Sequence, residues 1–160
     1  MNLKHRLYNI HAGFTLLELL IVVAIIGLLT SIVLASLNGG RSKGNDAGIK
    51  TDLRNAISQG EVFFNTNTVA PNSYTSVCTN GAVGGANGVG SFVLAAARIS
   101  GLSSYATNAT GTLTTATCND SVGAWAAEVP LKTSGQMWCV DSLGHSKQES
   151  VTIAAATVCA

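Results

Sequence analysis

Charge is what this sequence has least of: nine Lys or Arg and eight Asp or Glu in 160 residues, 11% of the chain, against roughly 25% in ordinary soluble domains. The formal net charge is +1, with no basic stripe of the kind a nucleic-acid footprint needs, so nucleic acid is not an expected partner. Histidine is almost missing as well; after His11 only His145 occurs. That leaves no H-E-x-x-H helix, no Ser/His/Asp order and no paired carboxylates on one element, which excludes the common hydrolytic chemistries. His145, with Asp141 and Lys147 near it, reads as a solvent-exposed turn residue. Asp120 and Asp141 are too isolated to gather the convergent oxygens that calcium takes. None of the four cysteines forms a C-x-x-C pair, so the short ligand pairs of a zinc site are lacking. The expectation is a protein that is not an enzyme and carries no cofactor and no metal. The missing charge is replaced mainly by Gly, Ser, Thr, Asn and Ala, which suits an extracellular or packed surface better than the cytosol. The length fits one modest domain.

What the sequence does have is one long apolar run. From Phe14 to Leu37 the only charge is Glu18. As a helix this run measures roughly 36 Å at about 1.5 Å per residue, enough for the ~30 Å hydrocarbon core of a bilayer. Lys4 and Arg6 precede it and Arg41, Lys43 and Lys50 follow it, so charge bias alone does not fix its orientation. A secretory signal peptide would be cut after the apolar stretch between small residues, a pattern that Val33-Leu34-Ala35-Ser36-Leu37 imitates poorly. Glu18 is the oddity. A carboxylate inside a spanning helix costs on the order of 2.5–3.5 kcal/mol, and no Lys, Arg or His lies within a helical turn of it. Either it reaches water at the membrane interface or its partner comes from elsewhere.

The stretch Gly13-Phe14-Thr15-Leu16-Leu17-Glu18-Leu19-Leu20-Ile21-Val22-Val23 resembles the prepilin signature of type IV pilins and pseudopilins. The features are a short basic leader ending in Gly, then Phe, then a carboxylate at the fifth residue of an apolar helix. The leader Met1–Gly13 and the run Ala24-Ile25-Ile26-Gly27-Leu28-Leu29 fit the same pattern. The sequence-specific likeness covers roughly residues 1–65; beyond that it is one of layout. The resemblance implies cleavage by a prepilin peptidase between Gly13 and Phe14 and N-methylation of Phe14. The new α-amine would supply the missing partner for Glu18, within one helix or between neighbouring subunits, favouring polymer over monomer. Gly27 then marks either a place where the packed helix unwinds in a filament or a plain close-packing glycine. The implied partners are other copies of the chain and other pilins, the prepilin peptidase, the inner-membrane pilus assembly machinery and, before assembly, the lipid bilayer. The implied location is the cytoplasmic membrane with the head outside, then an extracellular pilus. A pseudopilin of a type II secretion or DNA-uptake system is the alternative.

The expected fold is α+β: a long N-terminal helix, half apolar and half amphipathic, packed on a small antiparallel β-sheet head with disulfides. Its divisions are a removed leader 1–13, a transmembrane and assembly helix 14–37, an amphipathic half of the spine 38–65 and a globular head 66–160. Asn38-Gly39-Gly40, Gly44 and Gly48 predict a flexible or kinked passage. Ile49, Leu53, Ala56, Ile57, Gly60, Phe63 and Phe64 then recur at three- and four-residue spacing. Residues 81–90 are glycine-rich but lack the strand, helix and charged partners of a phosphate loop, and read as a connecting loop. Ser91 is expected to cap a short helix that Gly101 stops. Residues 105–117 read as a long surface loop, and residues 124–129, 136–141 and 146–152 as strands, the last two turning around Leu143-Gly144. Trp125 and Trp138 are expected in the core. Asn108-Ala109-Thr110 and Asn119-Asp120-Ser121 fit a glycosylation sequon. An even cysteine count points to two disulfides formed outside the cytoplasm. Of the three pairings of Cys78, Cys118, Cys139 and Cys159, closure of local segments favours Cys78–Cys118 and Cys139–Cys159, and the resemblance to pilins, with their C-terminal disulfide-bounded region, fits the second.

Overall fold

The computed structural model describes residues 13–160, so the expected leader before Gly13 lies outside the described residues. The chain forms two compact units that divide between Gly39 and Gly40. Helix α1, Leu16–Thr66, contributes to both. In the first unit its large apolar side chains are exposed all round, from 45% at Val22 to 82% at Leu16. An α-helix that is apolar on every face is not the surface helix of a soluble domain; it is long and apolar enough to cross a membrane. At Asn38-Gly39-Gly40, where a flexible or kinked passage is expected, the backbone is helical through all three residues, and the two units divide there. Glycine weakens a helix by about 1 kcal/mol per residue, but extending an existing helix adds one hydrogen bond per residue, and good helix formers lie on both sides.

In the second unit α1 presents a stripe of buried positions, Asp46, Ile49, Leu53, Ala56, Gly60 and Phe63. Spacings of three and four put these on one face. That face shares a core with alternate residues of a five-stranded sheet. The strands are β3 (Ala106–Thr107), β4 (Thr117–Asp120), β5 (Trp125–Pro130), β6 (Met137–Asp141) and β7 (Ser146–Glu149), side by side in that order. Before them come a small hairpin, β1 (Ala82–Val83) with β2 (Ala86–Asn87), and helix α2 (Gly90–Ser100). The glycine-rich stretch thus forms the tight β1–β2 connection and the lead into α2. Gly84 and Gly85 turn the chain at φ 59° and 80°, which a side chain disfavours.

Three sequence expectations need correction here. Val89, with no side-chain cap bond, stands at the N-cap of α2, and Ser91 lies inside the first turn. Gly101 does close the helix, at φ 99°, its N–H reaching the Ala97 and Arg98 carbonyls. Within the expected loop 105–117, Ala106 and Thr107 pair with Thr117 and Cys118, and they do so in parallel, so the sheet is mixed at one edge and antiparallel elsewhere. Finally, both sequon asparagines have engaged amides: Asn108, exposed, donates to Asp120 Oδ1 at 3.1 Å. Asn119 is 1% exposed and spends its amide on the Ala154 and Ala156 carbonyls at 3.2 and 3.1 Å.

Trp125 is fully buried in the main core and Trp138 nearly so. Lys50 and Arg54, one turn apart on α1, lie 4.7 and 5.4 Å from the centre of the Trp138 ring and cover it. Asp46 ties α1 to the β5–β6 connection by accepting from the Lys132 N–H at 2.6 Å and the Thr133 hydroxyl at 2.9 Å. Two disulfides, Cys78–Cys118 and Cys139–Cys159, close separations of 40 and 20 residues. In the chain-entropy picture they stabilise by about 4 and 3 kcal/mol respectively.

Candidate functional site

Gly13 and Phe14 precede the helix, and Phe14 is 80% exposed. The first turn that follows is built by two side chains. Glu18 Oε2 accepts the Thr15 N–H and the Thr15 hydroxyl, each at 2.9 Å. In return the Glu18 N–H reaches Thr15 Oγ1 at 3.2 Å. This is a capping box: Thr-x-x-Glu satisfies backbone donors at the helix start that have no carbonyl to meet. The carboxylate also lies at the positive end of the peptide dipoles. Glu18 therefore has neutral hydrogen-bond partners in its own chain, although no positive side chain stands beside it in sequence. Thr15 is the residue that the sequence reading passed over. The signal was present as a Thr three residues ahead of a Glu at the start of an apolar run.

Further along, Gly27 is helical and a methyl group added there would meet nothing within 4 Å. Its neighbours on the next turn are polar but self-satisfied. The Thr30 hydroxyl donates to the Ile26 carbonyl at 2.5 Å and Ser31 to the Leu28 carbonyl at 2.7 Å. Hydroxyls bonded back to their own helix can sit in apolar surroundings without a partner, and they loosen the carbonyl ladder slightly.

In the second unit Cys78 and Cys118 belong to the main core, whereas Cys139 and Cys159 join Ala126 and Ile153 in a smaller cluster. This second cluster lies where residues 150–160 are fastened to polar side chains of the sheet. The Ile153 N–H donates to Glu128 Oε2 at 3.0 Å, the Cys159 N–H to Asp141 Oδ2 at 3.0 Å, and Lys147 Nζ to the Ala160 carbonyl. Glu128 is fully buried. Burial pushes its pKa up, the Ile153 and Thr117 bonds offset this only in part, and the charge of Glu149 adds to the rise. For Asp141 burial also works upward, but the Cys159 N–H and the ring and N–H of His145 outweigh it and hold the carboxyl below its ordinary value. The His145 ring is bound to Asp141 with Nδ1 2.7 Å from Oδ2. Half-exposed, it helps to organise the β6–β7 turn rather than standing free in solvent.

These geometries describe an exposed apolar helix with a polar first turn, and a disulfide-braced head. Residues 9–34 match the prokaryotic N-terminal methylation motif. The type IV wide pilus major component PilA4 of Thermus thermophilus is 41% identical over 64 residues, 40% of this chain and 46% of that protein. In its N-terminal segment the chain is similar to type IV pilins. The match spans less than half of the length of that relative, and no solved structure matches. Pilins are structural proteins, and the methylation motif on an apolar helix is the feature this chain shares with a pilin-like subunit.

Proposed function

We propose that this pilin-like chain is the structural subunit of a type IV pilus, matured by a prepilin peptidase and assembled through its apolar helix. On this reading residues 1–13 are removed, 14–37 form the membrane and assembly helix, 38–65 the amphipathic half of the spine and 66–160 the head. The observation that carries the reading is the capped, apolar N-terminal segment, whose single charge sits one turn from Phe14. Cleavage between Gly13 and Phe14 bares an α-amine, which N-methylation leaves positive. Both Thr15 bonds fall on Glu18 Oε2, so Oε1 is the oxygen offered to that amine on the same or a neighbouring chain. In lipid, pairing two charges that otherwise lack an opposite charge favours the packed filament and sets axial register. Gly27 gives the helix a point of close approach to its neighbours in the bundle. Partners are then further copies of the chain, related pilins and the membrane assembly machinery. The protein waits in the cytoplasmic membrane, head outward, and functions outside the cell.

Two measurements test this. Mass spectrometry of the protein from its native cell should give an N-terminus at Phe14, heavier by one methyl group; a mature chain beginning elsewhere refutes the maturation step. Sheared-filament yield should fall at least about tenfold for Glu18→Gln, which keeps an acceptor for Thr15 but removes the charge. Wild-type yield from that variant would refute charge pairing as the driving force. Retention of all the wild-type protein in the envelope, with none in sheared filaments, would transfer the same chemistry to a pseudopilin.

A further inference from the structure

Three side chains of metal-ligand type meet beneath residues 150–160. Cys139 Sγ, Cys159 Sγ and a Glu149 carboxylate oxygen all lie within 4.8 Å of one another, and all three residues are buried. In the disulfide form the two sulfurs are bonded to each other and offer the carboxylate nothing. Glu149 is nevertheless 7% exposed, and among the described residues neither of its oxygens has a hydrogen-bond partner, its contact being an ion pair with Lys147. Lys147 Nζ stands 3.4 Å from Oε1, but it is 44% exposed and already donates to the Ala160 carbonyl. A buried carboxylate left in this condition is costly.

We infer that the head, in its dithiol form, holds one zinc-class ion on Cys139 Sγ, Cys159 Sγ and a Glu149 oxygen, and that disulfide formation expels it. The backbone is already suitable: the two Cα atoms are 5.9 Å apart. With Zn–S bonds of about 2.3 Å at tetrahedral angles, the sulfurs need to part only to about 3.8 Å. Three protein ligands leave a fourth position for water. Two thiolates and a carboxylate exceed the charge of a divalent ion by one, and the Lys147 ammonium beside Glu149 supplies the difference. The dithiol is the state in which the chain is synthesised. Binding releases one proton from each thiol. When a disulfide oxidant later accepts two electrons from the thiolates and two protons from solvent, the S–S bond forms, the oxidant leaves as its own dithiol, and the ion departs with two of its three ligands gone. The site would thereby keep this cysteine pair together and out of wrong pairings until oxidation.

The test uses the full chain in detergent micelles with Cd2+ as probe, read by its sulfur-to-cadmium ultraviolet absorption. A water-soluble phosphine reduces the protein; it takes up oxygen from water to become the phosphine oxide, and the disulfide gains two electrons and two protons. Because the phosphine also opens Cys78–Cys118, Glu149→Gln makes the distinction. The reduced wild type should bind Cd2+ at this site and Glu149→Gln should bind it at least about tenfold more weakly, since even an outer-shell partner is worth that much. Equal affinities in the two proteins overturn the inference, as does the same absorption in the oxidised protein. Should reduction unfold the head, Zn2+ must restore its near-ultraviolet circular dichroism in the wild type and not in Glu149→Gln; any other result there also overturns it.

Discussion

Gly60 occupies the buried stripe of α1 directly against Trp125. A β-carbon placed there would stand 2.7 Å from Trp125 Nε1 and 2.9 Å from Cε2 and Cζ2, closer than packed atoms approach. Gly60→Ala sets two effects against each other. Alanine is better than glycine in a helix by about 1 kcal/mol. Overpacking a filled core costs about 1–3 kcal/mol, and the upper part of that range applies because the obstacle is a rigid indole with 0% exposure. The net expectation is a loss of about 1–2 kcal/mol. Urea unfolding of the full chain in micelles, followed by tryptophan fluorescence, should show the midpoint falling by on the order of 1 M with the slope unchanged. Trp125→Phe takes away the atoms that the new methyl group meets, so in that background Gly60→Ala should cost much less. The two changes should couple by more than about 0.5 kcal/mol. A midpoint at or above that of the wild type, or a cost undiminished when Trp125→Phe is also present, would refute the packing argument.

Two further outcomes follow from buried carboxylates. Asp46→Ala leaves the Lys132 N–H, bonded at 2.6 Å in the native head, without its acceptor, and should destabilise the head by about 1–3 kcal/mol in the same unfolding assay. Asp141 has a folded pKa below its ordinary value, so its stabilisation is present above the unfolded pKa of about 3.9 and is lost as pH falls through the folded value. Hydrogen exchange at the Cys159 N–H, corrected for the intrinsic pH dependence, should accelerate in that acid window, and Asp141→Asn should remove the pH dependence. Glu128 acts with opposite sign, since its raised pKa means the folded state binds the proton first and gains stability as pH falls towards it.

Helix and hairpin positions were legible wherever the signal is local. The expected stripe Ile49, Leu53, Ala56, Ile57, Gly60, Phe63 and Phe64 needs only the 3.6-residue period; five of the seven are buried and Ile57 and Phe64 are partly buried. Gly101 ended α2 for reasons contained in its own backbone freedom. Legibility failed where a distant partner decides the matter. Ala106–Thr107 is a strand only because Thr117–Cys118 lies alongside it, and two residues carry no periodicity. Asn119 has the sequence of a sequon, but residues 154 and 156 bury it. Polar residues on alternate positions of β4 to β7 normally mark a solvent face. Here Asn119, Glu128, Asp141 and Glu149 are all buried, and they hold or lie beneath a C-terminal segment whose own sequence is nearly featureless.

The first turn of α1 shows the same division at the site itself. No opposite charge lies near Glu18 in sequence, which leaves the carboxylate in need of a mate. A hydrogen-bond donor is close at hand in Thr15, because backbone geometry brings residues three apart face to face at a helix start. The distinction changes the physics of assembly. Were Glu18 wholly unsatisfied, any donor on a neighbour would serve and the contact would be unselective. With one oxygen already occupied by Thr15, a neutral donor adds less than a full positive charge does in lipid. Thr15 would therefore make the contact selective for an amine, the group that the proposed cleavage after Gly13 would create, so that on this proposal uncut chains would not compete for the same place.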